Sequence, residues 1–139
     1  MDKIRAFAAT MLAFVTLDVA WLLLFSGGLF KSQLGPLLRS QPNLAAAAAF
    51  YLIYVVGMVV LVVLPALSDR SVHTAIWRGV VLGLTAYATF DLTNLAIISG
   101  WTLTVSLVDM AWGTTATALA CLAGYYAGLS ATLTDWPRG

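Results

Sequence analysis

Hydrophobic residues form four long blocks along this chain, separated by short polar stretches. The blocks run roughly from Ile4 to Phe25, Leu44 to Leu64, Thr74 to Ser99 and Leu103 to Ala131. As a helix rising about 1.5 Å per residue, each block can cross a hydrocarbon core of about 30 Å. The run Val59 to Leu64 lacks the alternation that a barrel strand needs. The pattern therefore predicts an all-α integral membrane bundle of four transmembrane helices, forming one domain over residues 1–139.

Composition supports the bilayer as the main partner, because 61% of the residues are hydrophobic and only 9% are charged. In soluble domains the charged share is about a quarter. A net charge of +1 without a basic run is unlike a nucleic-acid binder, so no nucleic-acid partner is expected. Cys121 is the single cysteine, which excludes a disulfide framework or a thiolate metal cluster within one chain.

Basic residues predict the orientation of the bundle. The first block follows Lys3 and Arg5, but it is longer than a signal peptide core and Asp18 interrupts it, so we expect a span. With a cytoplasmic N-terminus, the cytoplasmic side holds Lys3, Arg5, Arg70, Arg78 and Arg138, and the other side holds Lys31 and Arg39. The positive-inside rule then predicts N-in, C-in.

The longest connection, from Ser26 to Asn43, is expected to contain a short interfacial segment. Its apolar residues recur at helical spacing among polar ones, and glycines and Pro36 break it. The apolar set is Phe30, Leu34, Leu37 and Leu38. Such a segment is typical of the membrane surface. The link at Gly100 to Thr102 is too short for anything but a tight turn between neighbouring antiparallel helices.

Three of the six acidic residues, Asp18, Asp91 and Asp109, fall inside predicted spans. Counting along each helix places all three about 20 Å from the inner edge of the core, in the outer half of the bilayer. A polar or aromatic residue follows each acid by three positions and shares its helix face; these are Trp21, Asn94 and Trp112. The second span contributes Tyr51 and Tyr54 at a similar depth. We predict that these eight residues form a ligand-binding or proton-binding layer.

An ionised aspartate at a helix centre costs on the order of 2.5 to 3.5 kcal/mol, so the layer needs compensation. No basic residue lies at that depth. Protonation, hydrogen-bond donors or a bound cation would supply it, and crowded carboxyl groups are expected to hold at least one proton near neutral pH. Hydrogen-bonding contacts between helices are the alternative role for these acids.

Small residues form stripes on the last two spans, where close helix packing is expected. The stripes are Gly79 and Gly83 in the third span and Ala116, Ala120, Gly124 and Gly128 in the fourth. Packing within the bundle explains them, and a homo-oligomer seam is the alternative. Short echoes, such as Leu17 to Trp21 against Val108 to Trp112, fit either a duplication or the shaping of one pocket.

The segments Tyr87 to Ala96 and Val108 to Gly113, with Gly100-Trp101 between them, resemble a family of small bacterial membrane proteins. That family is catalogued as domain of unknown function twenty-one seventy-seven. Leu17 to Trp21 and Phe50 to Tyr54 fit the same pattern, so the resemblance covers nearly the whole chain. It implies a multi-pass protein of the bacterial inner membrane and supplies no activity, substrate or cofactor.

Three functions are compatible with the aspartate layer. The first is transport or binding of a proton, a cation or a cationic small molecule in a cavity open to the outside, with a homodimer expected because four spans are few. The second is an enzyme acting on a lipid-soluble substrate, with an aspartate as general acid or base and a divalent metal as an option. The third is a structural subunit of a membrane complex, in which the acids join helices.

Overall fold

A computed structural model of the chain describes residues 2–134, which form helices and turns without a strand. The helices are α1 (Lys3–Trp21), α2 (Gly27–Leu34), α3 (Leu44–Met58), α4 (Leu64–Asp69), α5 (Val72–Ile97) and α6 (Leu103–Thr134). Two π-helical turns, Leu22–Ser26 and Val59–Val63, and one 3-10 turn, Gly35–Leu37, lie between or beside them.

Within residues 2–134, four helical segments are long and apolar enough to cross a membrane, which confirms the predicted all-α bundle of four spans. They are the first span Lys3–Leu24, the second span Leu44–Asp69, the third span Val72–Ile97 and the fourth span Leu103–Leu129. The second span consists of α3, a π-helical turn and α4. The N-in, C-in orientation stays a prediction from the basic residues.

Polar side chains fix where the spans begin. The carboxylate of Asp2 accepts hydrogen bonds from the first turn of α1, and the side chains of Asn43 and Ser71 do the same for α3 and α5. Such caps satisfy backbone N–H groups that have no partner inside the helix. The second span ends at Asp69, and the next residue, Arg70, has a left-handed backbone with φ 49°. Gly100, with φ 93°, lies in the tight link between the last two spans.

The fourth span is the centre of the bundle. Its helix α6 packs most extensively on α5 and then on α1, and the second span touches α1, α5 and α6. The second and third spans meet mainly where the turn Val59–Val63 and α4 contact α5. Between α3 and α5 there are few contacts. These two spans therefore diverge toward the end of the bundle that carries the predicted aspartate layer.

The small-residue stripes are used inside the chain. A methyl group added at Gly79 would lie 3.0 Å from the Cα of Ala118, and one at Gly83 would lie 2.9 Å from the Cα of Thr114. Gly124 packs against Thr10 and Gly128 against Leu67 in the same way, and Ala116 and Ala120 are buried. Bundle packing therefore explains the stripes. The homo-oligomer stays a prediction.

The connection between the first two spans contains α2 and the 3-10 turn, so part of the predicted short segment is helical. Leu34 is buried, whereas Lys31 and Arg39 are exposed, as the helical spacing predicts. Leu37 and Leu38 depart from that pattern because both are exposed. The location of this segment at the membrane surface stays a prediction.

Candidate functional site

Asp18 in the first span is bound by Tyr51 of the second span. The phenol O–H of Tyr51 donates a hydrogen bond to the Oδ2 atom of Asp18. Phe14, fully buried one turn earlier in α1, packs edge-on against the Tyr51 ring with centroids 6.1 Å apart. Asp18 is therefore a partly buried carboxyl group with a donor supplied by a neighbouring helix.

Tyr54 joins three spans. Its hydroxyl lies 2.9 Å from the Oγ1 of Thr117 in the fourth span. Its ring packs edge-on against the ring of Tyr87 in the third span, with centroids 6.3 Å apart. Tyr87 in turn lies directly over Gly113, where no side chain intervenes. The roles of Tyr87 and Thr117 were not predicted from the sequence, although Tyr87 precedes Asp91 by four residues and so shares its helix face.

Asp91 is the most enclosed of the three acids, with a side chain that is 0% exposed. Within residues 2–134 neither of its carboxyl oxygens has a hydrogen-bond partner. Nearby, the hydroxyl of Ser106 donates to the backbone carbonyl of Asp91 at 3.3 Å, and the indole of Trp101 donates to Ser106 at 3.1 Å. These bonds fix the backbone around the acid and leave its carboxyl group without donors.

Asp109 interacts with each of the other two acids. Its carboxyl group neighbours that of Asp91, although the geometry is not that of a hydrogen bond, and it also interacts with Asp18. Both Asp18 and Asp109 are partly buried, so complete burial holds for Asp91 alone. Asp109 is thus near each of the other two predicted acids. Their common depth in a bilayer stays a prediction.

The two tryptophans of the predicted layer form a stacked pair. The rings of Trp21 and Trp112 have centroids 4.9 Å apart and planes inclined by 8°. The two similar segments, Leu17 to Trp21 and Val108 to Trp112, therefore lie side by side. This arrangement agrees with the interpretation that both contribute to one pocket. The indole N–H of Trp112 is buried and has no acceptor within the described residues. Asn94, one turn after Asp91, is only partly buried.

A cavity of about 450 Å³ occupies the gap between α3 and α5. It is lined by Phe50, Tyr54, Ala86, Tyr87, Phe90 and Asp109. Phe50 and Phe90 are 43% and 54% exposed, so the cavity opens between the second and third spans toward the outer surface of the bundle. Asp109 is the acid among its lining residues. The cavity is mostly apolar, with two phenol groups and one carboxyl group.

The described residues contain no group of three or more carboxyl, imidazole or thiol side chains that could hold a metal ion. Divalent cations such as magnesium and calcium take several oxygen ligands arranged around one point. The three aspartates are neighbours, but they do not converge in that way. The metal-dependent version of the enzyme hypothesis therefore lacks a matching geometry in this part of the chain.

Comparison with known proteins identifies a family of membrane proteins and supplies no activity. A family model described as "Predicted membrane protein (DUF2177)" matches residues 3–126. No curated protein and no solved structure matches the chain. The match covers all three aspartates and every residue that lines the cavity.

Proposed function

The chain belongs to the DUF2177 family of predicted membrane proteins, and we propose that it binds or transports a small lipid-soluble cation in the cavity between its second, third and fourth spans. In this proposal Asp109 holds the cationic group, and Asp18 and Asp91 add negative charge or take up a proton. Tyr54 and Tyr87 form the polar part of the cavity wall. Trp21, Trp112, Tyr51 and Asn94 support this layer.

The observation that carries the proposal is the mostly apolar cavity with a carboxyl group in its lining. Ligand pockets are usually apolar, with a few polar groups that fix the orientation of the ligand. Here Phe50 and Phe90 flank an opening between spans, so a ligand dissolved in the bilayer could enter sideways. A ligand with an apolar body and a charged end matches both parts of the lining.

The sign of the charge follows from the neighbours of Asp109. Two further carboxyl groups interact with it or lie beside it, and none of the described residues that line the cavity is a lysine or an arginine. In a region of low polarity a carboxyl group is either protonated or stabilised by a nearby cation. A cation would therefore be stabilised here, and an anion of the same size would be repelled. The aromatic rings of the lining also favour a cation.

Binding of a matched pair of ions tests the proposal. Tetraphenylphosphonium and tetraphenylborate have similar size and shape and carry opposite charges. We expect the purified full-length protein in detergent to bind the phosphonium ion, measured by quenching of tryptophan fluorescence, and to prefer it over the borate ion. Asp109→Asn should weaken phosphonium binding roughly tenfold, the effect of one charge contact worth about 1.4 kcal/mol.

Asp69→Asn is the matched control, because Asp69 is an exposed acid at the far end of the second span. It should leave phosphonium binding unchanged. Equal binding of both ions, or equal loss in the two variants, would contradict the proposal. Localisation in the bacterial inner membrane is part of the same proposal and is tested by fractionation of the producing cells.

A structural role is the second candidate, favoured by the hydrogen bonds from Tyr51 to Asp18 and between Tyr54 and Thr117. Both join different spans, as polar contacts between transmembrane helices do. This role predicts that Asp109→Asn lowers the stability of the bundle without any ion binding to lose. Thermal unfolding of the same two variants therefore separates the candidates.

A further inference from the structure

We propose that Arg78 and the groove beside it bind the headgroup and one acyl chain of an anionic phospholipid. Arg78 lies on the third span, far from the aspartate layer, and the function proposed above does not use it. The groove has a volume of about 260 Å³. Its lining residues are Leu61, Val62, Trp77, Arg78, Val81, Leu82 and Thr85.

The positive charge of Arg78 has no acidic partner in the described part of the chain, where the single ion pair joins Arg5 and Asp2. One N–H, on Nη1, donates to the backbone carbonyl of Leu61 at 3.3 Å. Its Nε is buried and has no acceptor within residues 2–134. A guanidinium has five N–H donors, so most of its hydrogen-bonding capacity is unused.

The contact with Leu61 has a cause in the sequence. Pro65 has no N–H to donate to the carbonyl four residues earlier, which is that of Leu61. The π-helical turn Val59–Val63 lies at the same place. Arg78 therefore donates to a carbonyl that Pro65 cannot bind, and this contact holds its guanidinium against the groove. Such π-helical turns are frequent at functional sites.

The depth of Arg78 suits a phosphate group at the membrane surface. The 26-residue third span is about 39 Å long, so it extends about 4 to 5 Å beyond a core of about 30 Å at each end. Arg78 is six residues after Val72, about 9 Å along the helix, and hence about 4 to 5 Å inside the core. A long arginine side chain can reach the lipid phosphate from that depth.

The shape of the groove favours a lipid over free phosphate. Beyond Arg78 it continues along Val81, Leu82 and Thr85, toward the middle of the bilayer, with Leu61 and Val62 on the opposite side. Val81 and Leu61 are more than half exposed, as residues in contact with an acyl chain should be. Basic pockets between helices bind anionic lipid headgroups by the same combination of charge and apolar wall.

Lipid retention measured by native mass spectrometry tests this proposal. The probes for delipidated full-length protein are dioleoylphosphatidylglycerol, dioleoylphosphatidylcholine with identical chains, and inorganic phosphate. We expect dioleoylphosphatidylglycerol to be retained roughly fivefold more than dioleoylphosphatidylcholine, the effect of one basic residue near an anionic lipid. Arg78→Gln should abolish this preference, and excess inorganic phosphate should not displace the lipid.

Arg70→Asn is the matched control, because it removes a basic residue from the same end of the bundle outside the groove, and asparagine tolerates the left-handed backbone there. It should keep the preference. If Arg78→Gln does not fold, Val81→Trp, which fills the groove and keeps the charge, should abolish retention instead. Equal retention of both lipids, retained preference in the variant that folds, or displacement by phosphate would each overturn the proposal.

Discussion

Replacing Gly83 with alanine tests the packing of the third span on the fourth. The added methyl carbon would lie 2.9 Å from both the Cα of Thr114 and the Cβ of Thr117. Carbon atoms in contact are normally about 3.5 to 4.0 Å apart, so the two helices would have to separate. The Thr114 contact is with the backbone, and a side-chain rotation cannot relieve it.

The magnitude follows from two opposing effects. Overpacking of a tight core typically costs about 1 to 3 kcal/mol, whereas replacing a helical glycine by alanine gains roughly 0.5 to 1 kcal/mol. We therefore expect Gly83→Ala to lower the free energy of unfolding by up to about 2.5 kcal/mol. The displacement would also strain the bond between Thr117 and Tyr54, which lies beside the cavity.

Gly57→Ala is the control, since Gly57 is also inside a span but a methyl group there would meet no atom within 4 Å. It should raise the free energy of unfolding by roughly 0.5 to 1 kcal/mol. Titration with sodium dodecyl sulfate in mixed micelles, followed by circular dichroism, measures both variants. Equal stability of the two would refute the packing argument and the central position of the fourth span.

Three further predictions concern the polar residues and the topology. Tyr51→Phe should lower the free energy of unfolding by about 1 to 3 kcal/mol, because Asp18 loses its donor, whereas Tyr126→Phe at an exposed position should not. Asp91→Asn should leave thermal stability in detergent intact, because no described donor binds this carboxyl group and an amide resembles a protonated acid; a large loss would indicate an ionised, partnered acid. Reporters fused at either terminus should be cytoplasmic and one near Gln41 external, and the reverse result would contradict the positive-inside assignment.

The sequence alone was enough to predict the four spans, because apolar blocks of membrane length have few alternatives in lipid. It also predicts one common depth for Asp18, Asp91 and Asp109, which stays a prediction. The depth of such residues can be counted from the sequence, since each transmembrane helix rises by a constant amount per residue and the bilayer aligns the helices. Arg138 and the rest of the chain after Thr134 lie outside the described residues.

Lateral contacts could not be predicted in this way, because helix spacing fixes the face of a residue but not which neighbour that face meets. Only the tertiary structure shows that Tyr51 binds Asp18, that Tyr87 lies over Gly113 and that α3 diverges from α5 to leave a cavity. It also shows that the small-residue stripes pack within the chain. In lipid these choices depend on close packing and a few hydrogen bonds, which arise only when particular helices meet.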